Sequence, residues 1–583
     1  MNIVGIYVGH NATVSLIKDN RLVSAISEEK FTNVKNTCGF PVKSLEYTMK
    51  EYELNASNID HVVFSSTHIG GGSLHGVPPD YDSDTNVSQF WDLQYRLFGS
   101  SIAQDIFPKI GEMLLESGKD NGQIRLRKLL IDEYGFKNSQ ISFVDHHLCH
   151  AYAPIGFFNL HKLEEPVLVI TQDGYGDCKC GTVGIYSYGN YELKEVTSLG
   201  DSLAYIYGAA TLYMGMHINE HEYKIMGMAS YPSEKYGLKL YEKKFSDLVD
   251  IVNGEICLKH KIFVPWAFAK TILKERLMGE RFDNIAFALQ HLIEERTVQF
   301  VKEKIRKYGI KKVAFGGGLF MNVKLNKLIQ EIPEMEMCYF MPSSGDESTA
   351  IGAVFYALES KDEFGVSDET VYLGKEYTKK DIEAYLSENN IEKTYDIDKP
   401  RIIEREVAQL IHSGKIVARF DGRGEWGARS LGNRAILADP SKLESVEIIN
   451  NAIKCRDFWM PFAPSINEKQ FQNYARFNGK VSPFYMITAF DSTAEGKTQI
   501  KAALHRKDKT LRPNVVTSNN NFEYHDMITH YEVLSGIGAV LNTSLNIHGY
   551  PMVGQINELF FTMDNSDLNY AQLGGYMLRK KVS

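Results

Sequence analysis

Ile3-Val-Gly-Ile-Tyr-Val8, Gly9-His10-Asn11, Ala12-Thr-Val-Ser-Leu-Ile17 and, after Asn20-Arg21, Leu22-Val-Ser-Ala-Ile26 open the chain. Apolar runs of strand length separated by turn residues predict a three-strand meander whose first turn exposes His10. The same grammar returns at Val167-Leu-Val-Ile-Thr171, the polar turn Gln172 to Asp177 and Gly181-Thr-Val-Gly-Ile-Tyr186. Two such passages predict a duplicated α/β lobe. Between them lie helical stretches and a Gly-, Pro- and Asp-rich segment from about Thr67 to Val87 that reads as a loop. Arg281 to Tyr308 reads as one long helix. It leads into Lys311-Lys-Val-Ala-Phe315-Gly-Gly-Gly318, a strand ending in three glycines that let backbone approach a ligand, commonly a nucleotide.

Further on the character changes. Residues 361–400 are rich in Lys, Glu and Asp and read as a linker with one helix, Lys379 to Ser387. An amphipathic helix, Ile402 to His412, and a strand, Ile416 to Phe420, then begin a second domain over 401–583, the first being 1–360. The 583 residues allow two to four domains. Apolar residues at 44% and charged residues at 23% exclude wholesale disorder. No apolar run approaches the length of a membrane span, the N-terminus lacks a signal-like basic region, and seven scattered cysteines do not read as a disulfide framework. The expectation is a cytoplasmic protein without a membrane partner. A net charge of −9 also argues against a nucleic-acid partner, though it leaves room for a local basic pocket.

Chemistry concentrates in a few blocks. In Asp145-His146-His147-Leu148-Cys149-His150, His146 and His150 stand one helical turn apart, a spacing that suits two imidazoles on one metal. Helices whose histidines cap or pair with carboxylates have the same pattern. Asp173, in the second lobe's turn, and Asp346, in Ser343-Ser-Gly-Asp-Glu-Ser-Thr-Ala350, offer oxygen ligands. Such a set suits Fe(II), Mn(II) or Zn(II) with positions open for substrate oxygens. His10, in a glycine turn, has the chemistry of an acid or base near neutral pH, and Lys35 that of a cation for phosphate or carboxylate. A strip from His217 through Lys224 to Ala229 has a polar half for a cleft, with Met226 and Met228 as core. The C-terminal part gathers Arg423, Arg429, Arg434, Lys454, Arg456, Arg512, Asn542 and Ser544 in short blocks rich in cations and amides, the first of them glycine-containing. Several N–H donors converging on few oxygens is what an anionic phosphate pocket requires.

These residues carry a resemblance. The Gly-His turn at His10, the Glu-Glu-Lys-Phe block ending at Lys35, His-His-x-x-His at 146 to 150, Asp-Gly-x-Gly at 173, Lys-x-Met-Gly-Met-Ala at 224 and Gly-Gly-Gly-x-x-Met-Asn at 316 resemble the NodU/CmcH family of O-carbamoyltransferases. So do Gly427-x-Arg-x-Leu-Gly-Asn-Arg434, Pro461-Phe-Ala-Pro-Ser465 and Leu541-Asn-Thr-Ser-x-Asn546. Where that family usually has Arg before Pro-Phe-Ala-Pro, this chain has Met460, and its Arg-Pro-Gln is Arg512-Pro513-Asn514.

The resemblance implies an α/β protein: an actin-like duplicated first domain fused to a YrdC-like second domain. It implies that the second domain forms carbamoyl-adenylate from carbamoyl phosphate and ATP, releasing pyrophosphate. The first domain would pass the carbamoyl group to a hydroxyl of a small-molecule acceptor, such as a sugar or natural product. His146, His150, Asp173 and Asp346 would bind Fe(II) or another divalent metal, and Mg(II) would accompany ATP. His10 would be the base on the acceptor hydroxyl, and Lys35 would also belong to the catalytic set. Gly316, Gly317, Gly318, Asn322 and Lys224 would line the nucleotide. Arg429, Arg434, Lys454, Arg456, Arg512, Asn542 and Ser544 would hold carbamoyl phosphate and ATP. An actin-like kinase or ATPase is a rival reading, weakened because its first phosphate turn normally carries an Asp where Gly9-His10-Asn11 stands. A nucleotide-binding regulatory module is another.

Overall fold

Alternation within the opening strands sends Val4, Ile6, Val14 and Leu16 to one buried face and Ile3, Gly5 and Ser15 to the other. In the computed structural model, which describes residues 1–68, 122–262, 265–361, 363–454 and 456–581, those strands are β1 (Ile3–Tyr7), β2 (Thr13–Lys18) and β3 (Arg21–Ser27). They form the expected antiparallel meander, and β4 (His61–Phe64) and β5 (Ile141–Phe143) add in parallel on the far side of β1. Apart from Thr67 and His68, the loop expected up to Val87 lies outside the described residues.

The second passage repeats this plan. β6 (Val167–Gly176), β7 (Lys179–Ser187) and β8 (Asn190–Ser198) form the meander, while β11 (Lys312–Gly316) and β12 (Met337–Phe340) add in parallel beside β6. The two sheets have the orders β3-β2-β1-β4-β5 and β8-β7-β6-β11-β12, so the duplicated lobe is present in the topology. A small hairpin, β9 (Val249–Val252) and β10 (Glu255–Leu258), and the long helix Phe282–Tyr308 accompany the second lobe. One detail differs from the sequence reading. β6 continues through Asp173 to Gly176, with a register irregularity there, and the turn shrinks to Asp177-Cys178. The ladder to β7 outweighs the turn propensity of glycine and aspartate.

After β5 and after β12 come two helices, His146–Phe157 and Thr349–Glu359. Glycine lets them touch: a Cβ on Gly352 would lie 1.8 Å from the Cys149 carbonyl oxygen, and one on Gly156 would lie 2.1 Å from the Phe355 ring. Gly5 likewise admits the second helix against β1, where Ser15 Oγ donates to the Ala350 carbonyl at 2.7 Å. This close packing brings the start of the histidine helix to the loop that carries Asp346.

The chain divides into two units: Met1–Glu28 with Asn36–Glu369, and Glu29–Lys35 with Thr370–Ser583. The second is built on an eight-stranded mixed sheet of order β13-β22-β21-β14-β15-β20-β16-β19. Its strands are β13 (Tyr395–Asp398), β14 (Val417–Phe420), β15 (Arg434–Ala438), β16 (Ala463–Asn467), β19 (Asn514–Val516), β20 (Ala539–Ser544), β21 (Tyr570–Leu573) and β22 (Tyr576–Lys580), with a separate pair β17 (Phe490–Asp491) and β18 (Thr510–Leu511). Both faces are buried: Val417, Ala435, Leu437 and Val540 go to one core, Ala418, Phe420, Ile436 and Leu541 to the other.

The stretch read as a linker contributes here. The helix Lys379–Glu388 forms as expected, but Tyr395–Asp398 pairs with β22 as an edge strand. Only Tyr395 is fully buried in it, so its charged composition hid the strand. Among the described residues no helix is long and apolar enough to cross a membrane.

Candidate functional site

In the first unit, Asp145 caps the histidine helix, accepting from the Leu148 N–H at 3.0 Å, and this fixes the first turn that carries His146 and His150. Both imidazoles are buried, and among the described residues their Nε2 atoms have no hydrogen-bond partner. They face carboxylates instead. His146 Nε2 lies 3.8 Å from Asp173 Oδ2 and 3.5 Å from Asp346 Oδ1, and His150 Nε2 lies 3.5 Å from the same Asp346 oxygen. One ligating atom from each of the four residues lies within 4.8 Å of the others. Donors about 2.1 Å from one ion stand about 3.0–3.4 Å apart at right or tetrahedral angles, so a small inward movement closes the set. Two orphaned imidazole nitrogens facing two carboxylates fit a divalent cation better than they fit any partner the protein itself supplies.

The charges respond to one another. Burial works against protonated His146, but Asp346 and Asp173 outweigh it and hold its pKa above the ordinary value. Burial likewise disfavours ionised Asp346, yet His10 and His146 hold its carboxyl well below the usual range. His147, between the two, is different. It reaches Thr171 Oγ1 at 2.9 Å and the Lys179 carbonyl at 3.2 Å, and burial, then His146 and His150, pushes its pKa down. It is a satisfied neutral core residue.

The triple glycine has a clear geometric task. A Cβ on Gly316 would lie 2.3 Å from the His150 carbonyl oxygen, and one on Gly317, where φ is +99°, would lie 2.2 Å from that of Gln172. The Gly318 N–H donates to Asp173 Oδ1 at 2.8 Å. These glycines bring β11 against the backbone that carries the donor set and orient Asp173. Asn322 caps the next helix through the Leu325 N–H and exchanges hydrogen bonds with Gln290, so its amide is engaged within the protein. Lys224 is buried on the helix Glu222–Met228.

His10 stands at the open side, with 43% of its side chain exposed and Nε2 3.6 Å from Asp346 Oδ2. The residue that sequence reasoning missed is Tyr7. Its buried hydroxyl donates to Asp346 Oδ2 at 2.5 Å and lies 3.5 Å from His10 Nδ1. Burial, then Asp346, pushes its pKa well up, so it stays a proton donor. The available signal was a hydroxyl at the end of a strand, just before an exposed histidine turn.

The second unit gathers cations. Lys35 belongs to it: Glu29–Lys35 packs there, with Gln555 Nε2 donating to the Phe31 carbonyl at 3.3 Å. Lys35, expected from the sequence in the catalytic set and as a cation for phosphate or carboxylate, acts on the charge of Lys454. Burial, then Arg456 and Lys35, lowers the pKa of Lys454, and burial, then Arg429 and Arg456, lowers that of Arg512. Lys35, Lys454, Arg456, Arg512 and Arg429 therefore form one electrostatically linked chain of positive charge. Lys454 Nζ donates to the Ser544 carbonyl and hydroxyl and to Asn546 Oδ1, and Arg456 reaches Thr543 Oγ1 at 3.5 Å.

Arg434 differs from these. It is fully buried, and its two NH groups donate to the carbonyls of Asp421, Asn433, Lys375 and Gly422. It ties the loop before β15 together rather than presenting those groups to a ligand. Glu425 does the same from its acceptor side, receiving the N–H groups of Leu431, Asn433 and Arg434. Asn542 Nδ2 donates to the Ser430 carbonyl and Ser465 Oγ, both at 3.0 Å, and Asn514 Nδ2 donates to the Leu431 carbonyl at 2.9 Å, so both amides brace the loop that carries Arg429. Met460 is buried.

An uncharacterized protein of Methanocaldococcus jannaschii is 29% identical, over 99% of both chains. The nodulation protein NolNO of Sinorhizobium fredii is 25% identical over 98% of this chain and 79% of its own, and nodulation protein U of Bradyrhizobium diazoefficiens is 22% identical over 94% and 92%. Among solved structures, the HypF of T. kodakarensis matches 62% of this chain at 13% identity with a TM-score of 0.33, too slight a likeness to assign the fold. This chain spans about half of that one, 48%. The model described as carbamoyltransferase N-terminus matches residues 2–355, and that described as carbamoyltransferase C-terminus matches 408–580. Together they cover both units and agree with the resemblance read from the motifs: the chain belongs to the carbamoyltransferase family, enzymes that transfer carbamoyl groups.

Proposed function

We propose that the protein is an ATP-dependent O-carbamoyltransferase that activates its donor in the second unit and transfers it in the first, with an actin-like first unit and a YrdC-like second one. The observation that carries the reading is the contrast of sites: a linked row of cations, of which Lys454 is buried, suited to a polyanion, and a donor set with a histidine at its open side. In the second unit Lys35, Arg429, Lys454, Arg456 and Arg512 hold the phosphates of carbamoyl phosphate and ATP. Atom balance defines the step. Water takes the phosphate from carbamoyl phosphate, the resulting carbamate oxygen attacks the α-phosphorus of ATP, and the bond to pyrophosphate breaks. Carbamoyl-adenylate, phosphate and pyrophosphate result.

Adenylation matters because nitrogen donates into the carbamoyl carbonyl and makes it a poor electrophile. AMP is the better leaving group. In the first unit His10 takes the proton from an acceptor hydroxyl as it attacks the carbonyl carbon, a contribution of about 10²–10⁴-fold. Asp346 holds the protonated imidazole that results, and Tyr7 holds Asp346. A divalent cation held by His146, His150, Asp173 and Asp346 would supply Lewis-acid neutralisation of the phosphate charge that leaves with AMP. The acceptor is a small hydroxylated molecule such as a sugar or natural product.

The test is a product analysis. The protein, ATP, labelled carbamoyl phosphate and a panel of hydroxylated acceptors are incubated with a divalent metal. AMP, phosphate and pyrophosphate in equal amounts, with a labelled carbamate ester, are expected. ADP as the nucleotide product would instead establish a kinase or ATPase, and nucleotide binding without turnover a regulatory module.

A further inference from the structure

The turn between β6 and β7 holds a constellation that carbamoyl transfer does not use. Asp177 and Cys178 have φ of 47° and 65°. Two successive left-handed residues make the tight hairpin turn that Asn-Gly fills with least strain, so a cysteine here is costly and needs holding. Asp177 provides the hold. Its Oδ1 accepts from Ser66 Oγ at 2.7 Å, the His68 N–H at 2.8 Å and His68 Nδ1 at 3.1 Å, and its Oδ2 accepts from the Thr67 and His146 N–H groups at 2.8 Å. With Nδ1 fixed by the carboxylate, and Thr67 Oγ1 also 3.1 Å from it, the other ring nitrogen faces sulfur: Cys178 Sγ lies 3.9 Å from His68 Nε2.

We propose that Cys178 is a site of covalent modification by hydroperoxides and other soft electrophiles, its thiol activated by His68 and the imidazole oriented by Asp177. A thiol beside an imidazole that is braced by a carboxylate passes its proton to that imidazole and becomes the nucleophile. The charges around it agree. The hydrogen bond to Asp177, then that to Cys178, lifts the pKa of His68 to about 9. Among the described residues, the titratable groups around the sulfur are His68, Asp177 and Tyr175, the last pushed up by burial and then by Cys178 and Asp177. Cys38 and Cys257 are also half-buried, and burial pushes their thiols up. In the reaction the Cys178 sulfur attacks an oxygen of the hydroperoxide. The S–O bond forms and the O–O bond breaks, sulfur loses two electrons to the peroxide, and the leaving hydroxide or alkoxide takes the proton from His68. Sulfenic acid and water or alcohol remain.

The full-length protein is treated with limiting iodoacetamide at neutral pH, and peptide mass spectrometry follows Cys178, Cys38 and Cys257 in the same sample. Cys178 is expected to alkylate at least tenfold faster than the other two. In His68→Gln it should fall to their rate, while theirs stay unchanged, which shows that the fold is kept. Substoichiometric hydrogen peroxide with dimedone should label Cys178 first. Alkylation of Cys178 no faster than at Cys38 and Cys257, an unchanged Cys178 rate in His68→Gln, or the absence of a dimedone adduct would each overturn the proposal.

Discussion

The two units bury charge in opposite ways. Around Asp346 the first unit sets carboxylates against imidazoles and a tyrosine hydroxyl, so each charged form is supported by its neighbours. Around Lys454 and Arg512 the second unit sets cation beside cation, and each disfavours the charge of the next. In the first arrangement opposite charges support one another, and the two imidazole Nε2 atoms are left facing the place of a cation. The second stores repulsion, which folding elsewhere must offset and an arriving anion would relieve. One site is therefore organised before binding, and the other is poised for it.

The largest test of this contrast is Asp346→Ala. It removes the acceptor of Tyr7 and the carboxylate that faces His10, His146 and His150 at once. Metal affinity, read by calorimetry, should fall by more than the roughly 10–100-fold that losing an outer partner costs, and transfer should cease. His10→Ala should slow transfer by about 10²–10⁴-fold and leave metal binding and pyrophosphate release in place. If transfer survives, His10 is not the base. Tyr7→Phe removes one donor to Asp346 and should weaken metal binding about 10–100-fold.

Smaller effects probe the second unit. Phosphate or pyrophosphate should raise the melting temperature, by about 2.7 kcal/mol of stability at a hundredfold excess over Kd. Arg512→Ala should melt higher than wild type without anions and lose much of that rise, as expected if relief of repulsion is the cause; lower melting in anion-free buffer would break the contrast. The smallest effect concerns pH. Because the folded pKa of His68 is raised to about 9 from 6.5, its stabilisation is fully present below about 6.5 and is lost as pH rises through about 9. Wild type should lose melting temperature over that window relative to His68→Gln, and parallel curves would refute it.

Much of this was legible in the chain, and unevenly so. The meanders, the long helix and the spacing of His146 and His150 follow from short-range periodicity. Asp173 was identified as a candidate donor although its strand was read as a turn. Arg434 and Asn542 were read as ligand contacts because an arginine or amide in a glycine loop looks alike whether it meets a phosphate or a carbonyl. Tyr7 was passed over because its hydroxyl gains meaning only from a carboxylate 339 residues away in the chain.

By itself the sequence determined the repeated strand grammar, the family and the identity of the four candidate metal donors. Local alternation, helical spacing and motif chemistry are written within a few residues of one another. Only the tertiary structure decided that Asp173 and Asp346 converge on both histidines, that Lys35 joins the cations around Lys454, and that Asp177 ties His68 to the start of the histidine helix. Those meetings depend on backbones that approach where glycine removes the Cβ, as at Gly316, Gly317 and Gly352, and on segments far apart in the chain settling against the same surface.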